Sequence, residues 1–356
     1  MTADGTVAGP GPGPGRGPHG VPAAIALSPI LSARYRSRDL ERIRSAAPGS
    51  RLVMVSSEGL ADGPVEDVEV LLRGFLSSEA FDRLLARTPR LAWVHSATAG
   101  VERVLTPASR QRGLVITNAR GVFSEPIAQY VLMMILAVSR RLPQLLELQK
   151  ERTWQPLEGA ELGDVTVGVV GLGSIGQAVA RLASAFGCRV IATRRRSDGS
   201  QPPPADDDPA AWLPRPGDRV LGPDGLPELL AESDFVVLAA PLTPATENLI
   251  DSAALEAMKP GAWLINVARG RLIDERALLR ALREGQIGGA ILDTFRDEPL
   301  PATSPFYGLE NAIVTPHTSW SSGRVLDRSV ELFCANLRRY SAGEPLHNVV
   351  DPAAGY

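Results

Sequence analysis

The stretch Val167-Gly168-Val169-Val170-Gly171-Leu172-Gly173-Ser174-Ile175-Gly176 runs without a break into Gln177-Ala-Val-Ala-Arg-Leu-Ala-Ser-Ala-Phe186. A short β-branched run ends in a glycine-rich turn, and the turn opens a helical pattern. Each glycine has its own physical reason. Gly171 permits the tight turn, Gly173 lets backbone approach a pyrophosphate, and Gly176 lets helix and strand pack closely. The helix start at Ser174 and Ile175 offers unpaired N–H groups to phosphate oxygens. A lone GxGxxG fits any glycine-rich turn of an α/β protein. Strand, motif and helix in this order point to a dinucleotide cradle.

Outward from the motif, the same rhythm repeats. Downstream, strands are expected at Arg189–Thr193, Phe235–Ala239, Trp263–Asn266, Gly289–Leu292 and Ala312–Val314, with helical stretches between most of them. Upstream, Arg51–Ser56, Val68–Leu72, Leu91–Val94 and Leu114–Thr117 read as strands, with a helix over Ser77–Thr88. Ala24–Gly49 is ambiguous, a short apolar start followed by a charged, helical stretch. Short apolar runs alternating with helices give parallel sheets covered on both faces. The expected fold class is therefore α/β, with two Rossmann- or flavodoxin-like parallel-sheet domains and the active site in the cleft between them. Residues 21–120 plus 324–356 form the outer, substrate domain, since the helical pattern Val325–Tyr340 is expected to pack back on it. Residues 121–323 form the dinucleotide-binding domain. Ser124–Gln149 reads as one long buried helix at a domain or subunit boundary, with Pro126 in its first turn. Residues 197–217, rich in proline and aspartate, read as an inserted surface loop, with a lid as the alternative.

Composition bounds the function. The chain has 356 residues, 44% of them hydrophobic and 22% charged, which suits two globular domains. Its 37 Lys+Arg against 40 Asp+Glu give a net charge of -3, which offers no nucleic-acid surface. No apolar run reaches the roughly 18 residues of a membrane span. Residues 1–20, with GPGPGPGRGPHG at 9–20, read as a disordered tail and not a secretion signal. The 2 cysteines, Cys188 and Cys334, belong to no CxxC and fit a reduced, cytoplasmic setting. No His/Cys/Asp cluster has metal-ligand spacing, so no metal is expected.

Three side chains sit where ligands bind in such folds, beyond the carboxyl ends of strands. Arg269 follows the strand 263–266, Glu298 follows 289–292, and His317 follows 312–314. Of the 4 histidines, His19 lies in the tail, His347 near the end, and His95 at a strand end of the first domain, a second candidate. Reduction of a 2-oxo acid needs a cation for the carboxylate, ideally the fork of an arginine. It needs an acid for the forming alkoxide, which histidine supplies near neutral pH. A carboxylate beside that histidine orients the ring and favours its charged form. Arg269, His317 and Glu298 supply the set. Taken singly, each also reads as an ordinary strand-capping, packed or surface residue.

From about Leu91 onward the sequence resembles the D-isomer-specific 2-hydroxyacid dehydrogenase family in its short form, without a regulatory domain. The matching stretches are SATAGV (96–101), TNARGV (117–122), VGVVGLGSIG (167–176), SDFVVLAAPLTPATENLI (233–250) and MKPGAWLINVARGRLIDERAL (258–278). They continue through GGAILDTFRDEPL (288–300), TPHTSW (315–320) and HNVVDPAAGY (347–356). The resemblance implies Arg269 as substrate-binding, Glu298 as the histidine's partner and His317 as the acid/base. It implies that the turn at Ala99 and Gly100 meets the substrate carboxylate through its amides. It places Asp293 near the nicotinamide carboxamide, and Pro241 and Ala268 along the cofactor. It also implies a homodimer built largely through the cofactor domain.

Departures bear on specificity. An NAD-preferring site usually carries an acid about twenty residues past the glycines. Here Arg194 and Arg195 stand there instead, which favours NADP(H) over NAD(H), with a solvated basic turn as the alternative. Gln129 stands where many members have glutamate. Glu298 argues against the formate branch, where glutamine typically stands. The reading is an NAD(P)-dependent oxidoreductase of a small 2-oxo or D-2-hydroxy acid, such as glyoxylate or hydroxypyruvate. The alternative from another class is a non-enzymatic, NAD(H)-sensing corepressor-like scaffold.

Overall fold

The computed structural model describes residues 20–30, 35–194, 212 and 214–352. The tail before Gly20, Arg195 and most of the insertion expected at 197–217 lie outside them. The chain divides into two compact units, Met1–Val122 with Gly323–Tyr356, and Phe123–Ser322.

In the first unit β1 (Ala24–Leu27), β2 (Arg51–Met54), β3 (Val68–Arg73), β4 (Trp93–Ser96) and β5 (Val115–Thr117) pair in parallel, in the order β2-β1-β3-β4-β5. The ambiguous start thus resolves into a central strand, AIAL, buried along its whole length. Side chains alternate between two cores, as the two-residue period of a strand requires. Ala24, Ala26, Leu71 and Val94 face Phe81 and Leu84 of α2 (Ser78–Arg87). Ile25, Leu27, Leu72 and Trp93 face Ile43 of α1 (Ser37–Ala46) and Val330, Phe333 and Leu337 of the C-terminal helix Val325–Ala342. A sheet covered on both faces accounts for the near-continuous apolar strands. A short α3 (Pro107–Gln111) precedes β5.

In the second unit the strands are β6 (Thr166–Val170), β7 (Arg189–Thr193), β8 (Arg219–Leu221), β9 (Phe235–Leu238), β10 (Trp263–Asn266), β11 (Gly289–Leu292) and β12 (Ala312–Val314). They are parallel in the order β12-β11-β10-β9-β6-β7-β8. The order reverses between β6 and β9, which opens a crevice at their carboxyl ends. Strand β8 is not foreseen by the sequence reading. It is three residues on the sheet edge, two half-buried and one exposed.

The helix expected over 124–149 is broken. Helix α4 (Ser124–Ser139) buries Ile127, Ala128, Val131, Leu132 and Ile135, while α5 (Leu142–Lys150) buries none of its residues. Between them Arg141 takes a left-handed φ of 60°. The cause is Pro143. A proline inside a helix has no N–H and crowds the carbonyl four residues back. That carbonyl, of Ser139, accepts from the Ala160 amide at 2.8 Å instead. Helix α6 (Ser174–Ala185) follows the glycine turn and packs on α4. Helix α7 (Glu275–Arg283) follows β10 and is capped by Asp274, whose side chain accepts from the Arg276 and Ala277 amides.

Candidate active site

The glycine turn has the three constraints that its sequence implies. Gly171 sits at φ +98°, and a Cβ there would lie 2.8 Å from the Ala240 backbone, just before Pro241. A Cβ at Gly176 would lie 2.1 Å from the Gly171 carbonyl oxygen. A Cβ at Gly173 would meet nothing within 4 Å, so this backbone is the open side of the turn. The loops after β6 and β9 therefore touch at the crevice, and the N-terminal amides of α6 begin at Ser174 and Ile175. These residues fit a dinucleotide's pyrophosphate, because close backbone approach is possible only where no side chain stands. Arg194 follows β7, half-buried, and its amide donates to the Leu221 carbonyl at 2.9 Å. The unforeseen β8 thus fixes the backbone from which this guanidinium projects.

The catalytic candidates stand at the carboxyl ends of three adjacent strands. After β10, Asn266 is fully buried and acts as a clamp. Its Nδ2 donates to the Arg269 carbonyl at 2.9 Å, and its Oδ1 accepts from the Ala268 amide at 3.1 Å. The next residue, Gly270, admits no side chain, since a Cβ would lie 1.9 Å from the Phe295 carbonyl carbon. This close approach brings Arg269 beside the loop that carries Glu298, near enough for its charge to act on that carboxyl.

Glu298 and His317 are joined directly. Glu298 Oε2 lies 2.8 Å from His317 Nδ1, and Oε1 accepts from the Phe295 amide at 3.0 Å. Burial raises the Glu298 carboxyl, but the His317 bond, the Phe295 amide and the charges of His317 and Arg269 outweigh it. The carboxyl is held below its ordinary range. A carboxylate accepts only, so Nδ1 carries a hydrogen and Nε2 is the nitrogen left for chemistry.

His317 has a left-handed φ of 49°. Its amide donates to the Asp293 carbonyl at 2.9 Å, and its carbonyl accepts from Trp320 Nε1 at 2.7 Å. Asp293, fully buried, accepts from Thr315 Oγ1 at 2.6 Å, the Thr318 amide at 2.8 Å and the Ser319 amide at 2.9 Å. Its carboxylate is thus directed into the histidine loop. Asn266, Gly270 and Thr315 are absent from the sequence-based candidates: Asn266 acts through a local turn, Gly270 through a close approach to the Phe295 backbone, and Thr315 through side chains distant in the sequence. Only Gly270, the small residue between Arg269 and Arg271, gives a sequence signal.

In the first unit, the carbonyls of Thr98, Ala99 and Gly100 accept from the Ala119 amide, Asn118 Nδ2 and Thr98 Oγ1, at 3.1, 2.9 and 2.7 Å. The turn carrying the Ala99 and Gly100 amides is therefore fixed from within. His95, the second histidine candidate, is core. It is fully buried between Trp93 and Phe333, and burial pushes its pKa down to about 3. It holds no proton to give near neutral pH. Among the described residues no three His, Cys, Asp or Glu side chains are grouped as metal ligands, and no helix is long and apolar enough to cross a membrane.

Residues 132–319 match the family model for the NAD binding domain of D-isomer specific 2-hydroxyacid dehydrogenases. A glyoxylate reductase of Korarchaeum cryptofilum is 32% identical over 323 residues, covering 88% of this chain and 90% of that protein. A D-isomer specific 2-hydroxyacid dehydrogenase from Xanthobacter autotrophicus Py2, solved with NADPH and MES, superposes with a TM-score of 0.80. It is 30% identical, and 94% of this chain and 99% of that one are covered. An NADPH-dependent glyoxylate/hydroxypyruvate reductase from Sinorhizobium meliloti, solved with NADP and sulfate, gives 0.78 at 27% identity, covering 94% and 100%.

Proposed function

The chain belongs to the D-isomer specific 2-hydroxyacid dehydrogenases, and from that premise we propose that it is an NADP(H)-preferring reductase of small 2-oxo acids, with glyoxylate and hydroxypyruvate as the leading substrates. It is an NAD(P)-dependent oxidoreductase of small 2-oxo or 2-hydroxy acids. The acid/base chemistry of this reading is carried by the 2.8 Å contact between Glu298 and His317 beside Arg269. The finer reading is supported by Arg194 in place of an acid, and by relatives solved with NADPH or named for glyoxylate.

When bound, the reduced nicotinamide supplies a hydride to the carbonyl carbon of the acid. The protein does the rest. Arg269 holds the acid's carboxylate, and the Ala99 and Gly100 amides are the further candidates for it. His317 carries a proton on Nε2 for the oxygen that gains charge. Glu298 stabilises the protonated ring and fixes which nitrogen faces the substrate. In the oxidative direction the same nitrogen accepts the proton. Gly171, Gly173, Ser174, Ile175, Gly176, Pro241 and Ala268 line the cofactor site in this reading. Arg194 would meet a 2′-phosphate there, and Asp293 would lie on the nicotinamide side. Arg195, proposed alongside Arg194, is outside the described residues.

The protein is further proposed to be a cytoplasmic homodimer. A panel of 2-oxo acids assayed with NADPH and NADH, followed by loss of nicotinamide absorbance, tests the activity. Turnover of glyoxylate or hydroxypyruvate with NADPH ahead of NADH is expected. Turnover with neither acid, or a clear preference for NADH, would contradict it.

A further inference from the structure

One hydrogen-bonded chain in the second unit contains two residues, Tyr130 and Thr315, to which no role is assigned above. The Tyr130 hydroxyl, on α4, lies 2.7 Å from Thr315 Oγ1. Thr315 Oγ1 in turn lies 2.6 Å from Asp293 Oδ1. The direction of this chain follows from proton count. A carboxylate has no hydrogen, so the single hydroxyl hydrogen of Thr315 goes to Asp293, and Tyr130 must donate to Thr315. Burial is the main reason that the Tyr130 phenol is pushed up to about 12, so it stays a donor across the working pH range.

The far end of the chain is the histidine loop. Asp293 takes the Thr318 and Ser319 amides on its carboxylate and the His317 amide on its carbonyl. It thereby brackets His317, whose left-handed backbone is uphill for a residue with a Cβ and persists only where its surroundings hold it. We propose that Tyr130 and Thr315 are positioning residues for the reaction. They orient the Asp293 carboxylate so that it holds His317 with Nε2 presented to the substrate oxygen. This rests on the reading of His317 as the acid/base. It adds that helix α4 is wired to the catalytic loop through side chains that touch no reacting atom.

Arg269 takes its position independently, from Asn266 and Gly270. Damage to the Tyr130 chain should therefore appear in kcat and leave the acid's KM alone. The full-length protein is assayed with NADPH and its best 2-oxo acid as the native form and as Tyr130→Phe, Thr315→Val, Thr315→Ser, the Phe/Val double variant and His317→Ala. Tyr130→Phe removes one neutral hydrogen bond and should lower kcat about 3- to 10-fold. Thr315→Val removes a bond to a charged acceptor and should lower it about 10- to 100-fold. KM for the acid and Kd for NADPH should stay within about two-fold, because neither variant removes a binding contact. Thr315→Ser should restore most of kcat, and the double variant should be no slower than Thr315→Val, since both cut one chain.

Full activity in His317→Ala would overturn the catalytic reading itself. An impaired His317→Ala beside native-like Tyr130→Phe and Thr315→Val would overturn the positioning role alone. So would losses that multiply in the double variant, or that fall on KM or on NADPH binding. If Thr315→Val does not fold, Tyr130→Phe and Thr315→Ser decide by the same criteria.

Discussion

Arg269, Glu298 and His317 were legible because a strand end is an address that sequence can give. Each follows a short apolar run, and in a parallel sheet those run ends converge. What holds them was not legible. Asn266 closes a turn around Arg269, and Gly270 lets the Arg269 backbone meet the Phe295 loop. The first depends on how one side chain turns within a local loop and the second on a backbone distant in the sequence, and no apolar pattern encodes either. Gly270→Ala makes the point testable. Its Cβ would fall 1.9 Å from a backbone carbon, so the loop must move. Overpacking of this kind costs about 1–3 kcal/mol or more. The variant should melt lower and lose activity, and an unchanged Tm with native turnover would contradict the packing argument. The charged groups divide differently. His317→Ala should lower kcat by about two to four decades with a smaller effect on cofactor binding. Arg269→Ala should raise KM for the acid strongly, and lower kcat as well, because a loosely held substrate is seldom in line. Steady-state kinetics on the two variants separates these patterns, and a His317→Ala defect confined to KM would exchange the assigned roles.

Whole elements were read well where apolar runs are long and flanked by turns, and poorly where one residue breaks a pattern. The strands at 189–193, 263–266, 289–292 and 312–314 fall where the apolar runs lie. The helix at 124–149 does not persist, because Pro143 costs it a hydrogen bond and a carbonyl clash that the apolar count ignores. Strand β8 is not legible in the sequence, because an edge strand of three residues carries almost no periodic signal. In the proposed reading β8 would bear on specificity, since Leu221 anchors the Arg194 backbone at the end of β7. One charge-assisted contact from Arg194 to a 2′-phosphate would contribute roughly 1.5–3 kcal/mol, or about one to two decades in affinity. Arg194→Asp should therefore reverse the cofactor preference when kcat/KM is measured with NADPH and NADH. Equal efficiency of the native protein with both cofactors would remove Arg194 from the specificity argument.

At the scale of the molecule, two features act together. Helix α5 buries none of its residues and exposes Leu142, Leu145 and Leu146, while α4 exposes Met133. Exposed apolar side chains gathered on one helix are what the proposed dimer would cover. We expect the mass of a dimer in solution at micromolar concentration, and monomers from Leu142→Glu/Leu146→Glu; a monomeric native protein would contradict this. The second feature is acid sensitivity. His95 is neutral in the fold, with its pKa pushed down to about 3 by burial, so the unfolded chain binds a proton more readily. Its contribution to stability is lost as pH falls below the ordinary histidine value toward that figure. Glu298 works in the same direction at lower pH. Its carboxyl is depressed in the fold, so its contribution is present above the ordinary carboxylate value and lost as pH falls through the depressed one. The two units should therefore loosen on acidification well before extreme acid, read by Tm against pH, and the loss above about pH 5 should shrink in His95→Phe. The catalytic account itself turns on one contact, the carboxylate of Glu298 against Nδ1 of His317. Removing that negative charge makes the protonated ring less favourable, so less of it remains at any given pH. The decisive measurement is kcat/KM against pH for 2-oxo acid reduction by the native protein and by Glu298→Gln. The account predicts that the alkaline limb moves to lower pH in Glu298→Gln while some turnover survives; a limb that stays in place or moves upward would show that Glu298 is not the electrostatic partner of His317.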